Sequence, residues 1–162
     1  MRPALALLLL VALLTPGCAR KPPYEGRSVA ELEGMLDDSD VKVQAQGALG
    51  LGLHGAEARP AIPALLRALG SPDVVVRQQA AGALGQIGVA EEGAVPALAG
   101  ALADREWVVR RQAAVALGQI GPPAATAEPA LRLCRRDSHA LVRKAVSEAL
   151  ARIGTTKPTG SK

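Results

Sequence analysis

Few residues of this chain could do chemistry, and their arrangement points away from catalysis. There are two histidines, His54 and His139, and two cysteines, Cys18 and Cys134. The histidines fall far apart, with no cluster of partners at the spacing of a zinc site. No His-Glu dipeptide occurs. The Gly-x-x-Gly stretches close helical patterns rather than open them, so they do not form a phosphate loop. What does recur is a turn carrying acid, then base: Asp73 with Arg77, Glu106 with Arg110, and Asp137 and His139 ahead of Arg143. Asp40 and Gln44 hold the same places earlier. An acid ahead of a helix can cap it, and the arginine can reach an acid of its own unit or of the next.

The elements that position these groups form a repeat. Val76-Arg77-Gln78-Gln79-Ala80-Ala81-Gly82-Ala83-Leu84-Gly85-Gln86-Ile87-Gly88 is nearly respelled from Val109 to Gly121 and again from Val142 to Gly154. One step back lands on Val43, with Leu51, Gly52 and Gly55 in register. A period of about 33 residues marks stacked helical units. Each unit divides into two helices. The first helices are expected at 28–36, 61–69, 94–102 and 127–134, with Pro63, Pro96 and Pro129 near their starts, where a missing N–H costs little. The second are expected at 41–53, 74–87, 107–120 and 140–153. Val76, Ala80, Ala83, Leu84 and Ile87 share one helical face, and Gly55, Gly88, Gly121 and Gly154 follow as caps. Gly52, Gly85 and Gly118 lie inside helices, at a cost of about 1 kcal/mol each against Ala. That repeated cost suggests close approach between helices.

The pattern Asp-x-x-Val-Arg-x-x-Ala-Ala-x-Ala-Leu-Gly-x-Ile-Gly resembles HEAT repeats, of the short bacterial kind seen in PBS-lyase-like proteins. The resemblance implies an all-α fold: an α-solenoid of about four helical hairpins over 28–155, with units near 28–55, 59–88, 92–121 and 126–154. It is specific for fold and loose for function, because such arrays serve as platforms. Relatives that hold iron, the deoxyhypusine hydroxylases, use His-Glu pairs that this chain lacks. Composition agrees with tightly layered small residues: of 162 residues, 49% are hydrophobic but only 1% aromatic, with no Phe. A net charge of +4 is too mild to imply nucleic acid.

The amino terminus reads differently. Met1-Arg2-Pro3 precedes an apolar run from Ala4 to Leu14, of signal-peptide length and too short to span a bilayer. The run ends in Leu14-Thr15-Pro16-Gly17-Cys18, which resembles a bacterial lipobox. Thr15 and Pro16 depart from the pattern; Gly17 and Cys18 fit. The resemblance implies a signal peptide over 1–17, lipid on Cys18, and a lipoprotein at the cell envelope, the outer membrane favoured by Ala19. Residues 18–27, with Pro22-Pro23, read as an extended tether, and 156–162 as a loose tail.

In HEAT-like arrays the second helices line the concave side. By phase, that surface would present Gln78, Gln79, Gly82 and Gln86, then Arg111, Gln112, Val115 and Gln119, then Lys144, Ala145, Glu148 and Arg152, with Ala45 among the first unit's positions. Trp107 is expected to cover a turn and pack on the next unit, and Cys134 to be an inert thiol. Acidic residues gather in the first unit (Glu31, Glu33, Asp37, Asp38, Asp40) and basic ones in the last (Arg132, Arg135, Arg136, Arg143, Lys144, Arg152). The function expected is a non-catalytic, cofactor-free interaction scaffold: a monomer that binds an unidentified protein or peptide, touches a membrane through its lipid, and binds no nucleic acid. The alternative is a PBS-lyase-like enzyme or enzyme accessory protein.

Overall fold

The computed structural model describes residues 21–88 and 93–154. The leader, Cys18 and the tail lie outside the described residues. The described chain is helical throughout: α1 (Val29–Gly34), α2 (Val41–His54), α3 (Ile62–Ala68), α4 (Val74–Ile87), α5 (Ala94–Ala101), α6 (Trp107–Ile120), α7 (Glu128–Leu133) and α8 (Ala140–Ile153). Short 3-10 turns at Met35–Asp37, Gly55–Ala61, Pro122–Ala127 and Cys134–Arg136 join or extend them. Each of α2, α4, α6 and α8 runs 14 residues. None of the described helices is long and apolar enough to cross a membrane.

Local chemistry explains the starts and stops. Ser28 and Glu31 form a capping box at α1. Asp40 accepts from the Lys42 N–H, and Asp73 from those of Val75 and Val76. His139 Nδ1 takes the Leu141 N–H at α8, whereas Glu106 makes no such bond at α6. Positive φ ends the second helices at Gly55, Gly88 and Gly121; Gly154, with φ −79°, keeps a right-handed conformation.

The second helices pack on one another along their lengths, α2 on α4, α4 on α6 and α6 on α8, while the first helices scarcely touch. That asymmetry curves the stack and puts the second helices on its inner side. The cause lies in side-chain size. A Cβ at Gly85 would sit 2.6 Å from Ala116 Cα, and one at Gly118 would sit 3.0 Å from Ala149 Cα. Gly52 faces Ala83 in the same way, 3.0 Å from its Cα. Leu32, Leu65, Leu98 and Leu131 from the first helices, and Leu51, Leu84 and Leu117 from the second, fill the core between layers with no exposed surface or almost none.

The tether expectation is corrected for residues 21–27. Pro22–Gly26 forms a turn, closed by the Glu25 N–H on Pro22 O, with Arg27 Nε donating to Pro23 O at 2.6 Å. Tyr24 is half-buried against the core and lies over Gly50, the phase at which Ala83 and Ala116 of later units meet the preceding unit. The only tyrosine of an aromatic-poor chain thus caps the first hairpin.

Candidate binding surface

Two surfaces deserve description, the turn edge and the inner face. Along the turn edge, Arg77 passes by Asp73 and spans the junction to the next unit. Its Nε and Nη2 bond the two carboxylate oxygens of Asp104 at 2.8 and 3.0 Å. Arg110 does the same to Asp137, at 2.7 and 3.0 Å. The third nitrogen, Nη1, ties each arginine to its own turn: Arg77 to Ser71 O and Pro72 O, Arg110 to Asp104 O and Arg105 O. These fork-to-fork pairs are charge-assisted and geometrically specific. They are also largely buried, with side-chain exposures of 7% and 13% in one pair and 15% and 8% in the other.

Electrostatics follow from this geometry. Burial pushes the Asp104 carboxyl up, but the Arg77 bond and the Glu106 N–H outweigh it and hold the group below its usual range. The Arg110 bond holds Asp137 down against the opposing effect of burial. Among the sequence candidates, then, Asp73 is a helix cap, and Glu106 sits beside Arg105 at 3.9 Å rather than pairing with Arg110. Asp104 was missed, although Asp38, Ser71, Asp104 and Asp137 share one phase of the repeat. Each of these four accepts the backbone N–H two residues ahead.

On the inner face, Gln86, Arg111, Gln119, Lys144, Glu148 and Arg152 are exposed, and Gln78, Gln79 and Gln112 are half-buried. Ala45, Gly82 and Ala145, expected to face outward, are buried. Neighbouring units explain part of this. Gln112 lies over Gly82, Gln86 against Gly52, and Gln119 against Gly85. These glutamines therefore fill niches left by the absent side chains as well as meeting water. The exposed charges cluster later, at Arg111 and at Lys144, whose Nζ lies 4.0 Å from Glu148 Oε1.

Trp107 stacks on His139 of the following unit, with ring centroids 3.8 Å apart and planes within 6°. Cys134 is half-buried, its thiol directed at Leu102 O at 3.7 Å; burial, then the nearby Asp137 charge, raise its pKa. A thiol so placed is a poor nucleophile. Among the described residues, no three His, Cys, Asp or Glu side chains gather closely enough to hold a metal ion.

HEAT repeats match residues 29–117 and again 95–159. The chain belongs to the HEAT-repeat family. No curated protein matches it. Among solved structures, it is similar to the complex of CpcE and CpcF of phycocyanin lyase from Nostoc sp. PCC7120, with 28% identity and a TM-score of 0.69, over 79% of this chain and 54% of that one. It is also similar to human deoxyhypusine hydroxylase solved with glycerol, with 32% identity and a TM-score of 0.64, over 82% of this chain and 45% of that one. An engineered protein matches with 26% identity and a TM-score of 0.62, over 77% and 62%. The chain thus spans between 45% and 62% of the length of these three neighbours.

Proposed function

We propose that this HEAT-repeat chain is a non-catalytic interaction scaffold, exported and lipid-anchored through Cys18 at the cell envelope, that docks a protein or peptide on its inner face. The observation that carries the docking is the exposed charge of Arg111, Lys144 and Glu148 on helices fastened to one another along their lengths. A rigid surface of this kind binds without a large ordering cost. The anchor rests on the apolar run of 4–14 ending at Gly17-Cys18. One lipid chain gives only marginal membrane binding, so full anchoring takes the several chains a lipoprotein cysteine carries or a second contact.

Crosslinking in intact cells tests both parts. A partner captured with the tagged full chain, and lost with Arg111→Glu and Lys144→Glu together, supports the inner-face reading. Capture that ignores those two charges sinks it. Separately, Cys18→Ala should release the protein from the membrane fraction; a variant still in that fraction, with unchanged processing, sinks the lipid anchor.

A second reading draws on the Nostoc neighbour, a complex of two proteins belonging to a lyase. In this reading the chain is the accessory half of a HEAT-type enzyme. Pigment or metal that co-purifies with the chain in stoichiometric amount would favour it over the scaffold.

A further inference from the structure

Among the described residues the ladder of Arg–Asp pairs stops at Arg143 on one side and at Asp38 on the other, and the two groups are complementary. At the carboxyl-terminal end, Arg143 is held as its counterparts are: Nη1 donates to Asp137 O at 2.8 Å and to Ser138 O at 3.0 Å. Arg77 and Arg110 turn their remaining edge, Nε and Nη2, onto the aspartate of the next unit. The same edge of Arg143 has no such partner among the described residues, and the side chain is exposed. A pre-oriented guanidinium fork therefore faces the place where a fifth aspartate would stand.

At the amino-terminal end stands the matching group. Asp38 occupies the phase of Asp104 and Asp137, and its Oδ1 takes the Asp40 N–H at 2.8 Å, as theirs take the N–H groups of Glu106 and His139 at 2.8 Å. It is exposed, and no arginine reaches it. Gln44 Nε2 holds its backbone carbonyl at 2.6 Å, which fixes the turn. One end thus offers an ordered carboxylate and the other an ordered guanidinium, set to the geometry of the internal pairs.

One further feature of the ends agrees. Acidic residues surround Asp38, and Arg135 and Arg136 stand beside the last turn, so opposite fields face each other when copies align head to tail. The inner layer contributes less. Inside the stack each crossing sets a Gly against an Ala, but at the amino-terminal end Tyr24 already covers Gly50, the place that Ala151 of another copy would take. Leu53, 61% exposed, holds the phase of Gln86 and Gln119, which lie against the preceding unit's glycine. Gly50 lies about 14 Å along α2 from its start at Val41, well away from Asp38. The primary contact is therefore at the turn edge, and the association is modest and salt-sensitive.

We propose that this chain associates head to tail with a second copy of itself, Arg143 of one protomer closing on Asp38 of the next. Such a contact is heterologous and extends into short open chains. It requires neither the lipid nor the inner-face partner.

Sedimentation equilibrium of the full chain in density-matched detergent tests it. The average mass should rise with concentration at low salt and fall back toward the monomer in about 0.5 M salt, where the Debye length is only a few ångströms. Arg143→Asp and Asp38→Arg should each weaken association by about tenfold or more, by setting like charges together. Both sites are exposed, and circular dichroism should show both variants folded. An equimolar mixture of the two should recover the wild-type mass: their altered ends attract with the signs exchanged, and their unaltered ends keep the original pair. A monomer at every concentration overturns the proposal, even if that monomer binds some other acidic protein. So does self-association that either variant leaves unchanged, or a mixture that fails to recover.

Discussion

The junction between the first two units and the two junctions after it share a backbone plan but differ in what spans them. At the later junctions Arg77 reaches Asp104 and Arg110 reaches Asp137. At the first, the corresponding residues are Gln44 and Ser71, and both members of the pair have been exchanged together. What survives there is the part of each side chain that serves its own turn: Gln44 holds Asp38 O, and Ser71 Oγ takes the Asp73 N–H. The pair is thus two functions joined in one residue, a turn clamp and a bridge, and the first junction keeps the clamp alone. A cleft of about 220 Å³, lined in part by Gln44, Ser71 and Arg67, opens there. The inner side shows no such grading, since Gly52, Gly85 and Gly118 each meet an alanine of the next unit. Helix contact supplies uniform cohesion, and the charged edge adds to it unevenly.

The sharpest way to break this comparison is to remove one carboxylate. Asp104→Ala leaves Arg77 buried without its counter-charge, at a cost of about 3–5 kcal/mol. Ser71→Ala, at the same phase of the first junction, should cost about 1 kcal/mol or less, the worth of one hydrogen bond. Urea unfolding of both variants checks it, and equal losses would mean that the bridge contributes nothing beyond the clamp. Acid tests the same bridge. Asp104 and Asp137 have folded pKa values below the unfolded carboxylate value of roughly 3.9. Their contribution is complete above that value and is lost as pH falls through the depressed folded values. The melting temperature of the wild type should therefore drop steeply below about pH 4. Asp104→Asn, which starts lower at neutral pH, should drop less over the same window.

The inner layer gives a smaller effect with a sign that depends on position. Gly85→Ala places a methyl 2.6 Å from Ala116 Cα, a backbone neighbour that cannot swing away. Overpacking of this kind costs about 1–3 kcal/mol. Gly118→Ala, at 3.0 Å from the nearest atom, should cost less. Gly100 sits in α5 with open space around it, so Gly100→Ala should instead stabilise by up to about 1 kcal/mol through helix propensity. Thermal melts of the three variants should rank in that order. A loss at Gly100 equal to that at Gly85 would detach the glycines from helix approach.

These contrasts also mark what the residues alone could reveal. The period, the helix pairs and the internal glycines were legible because each is a one-dimensional pattern: a phase, a proline, a missing side chain. The stacking of Trp107 on the next unit was legible for the same reason, since a large ring at a turn needs a surface. The pairing of Arg77 was half legible: an acid of its own unit or of the next was expected, and the fold brings Asp104 alongside from 27 residues away in preference to the nearer Asp73. Asp104 could have been found by aligning phases, since Asp38 and Asp137 hold its place. The glutamines were harder. Nothing local says that Gln86 will lie against a glycine of another unit; that follows only when the helices are stacked. Tyr24 was misplaced in the tether because Pro22-Pro23 suggests extension, whereas an uncovered Gly50 offers an apolar aromatic a niche.

The constructive test of the opening contrast is to install the missing pair. Gln44→Arg with Ser71→Asp copies the later junctions into the first. The backbone there already has the required form: Gln44 lies against Asp38 O as Arg77 lies against Ser71 O, and the Asp73 N–H already donates to the side chain of residue 71. The new pair lies between turns already ordered, so little further chain entropy is lost. Desolvation of two charges offsets much of the Coulombic gain, and a net stabilisation of about 1–2 kcal/mol is expected. The single variants should be neutral or destabilising, because each brings one charge to a half-buried edge without a partner. A double-mutant cycle in urea isolates the coupling. Coupling near zero would show that the first junction differs from the others in the fit of its backbone as well as in its side chains, and that the ladder begins at Arg77 for a reason of geometry rather than of residue choice.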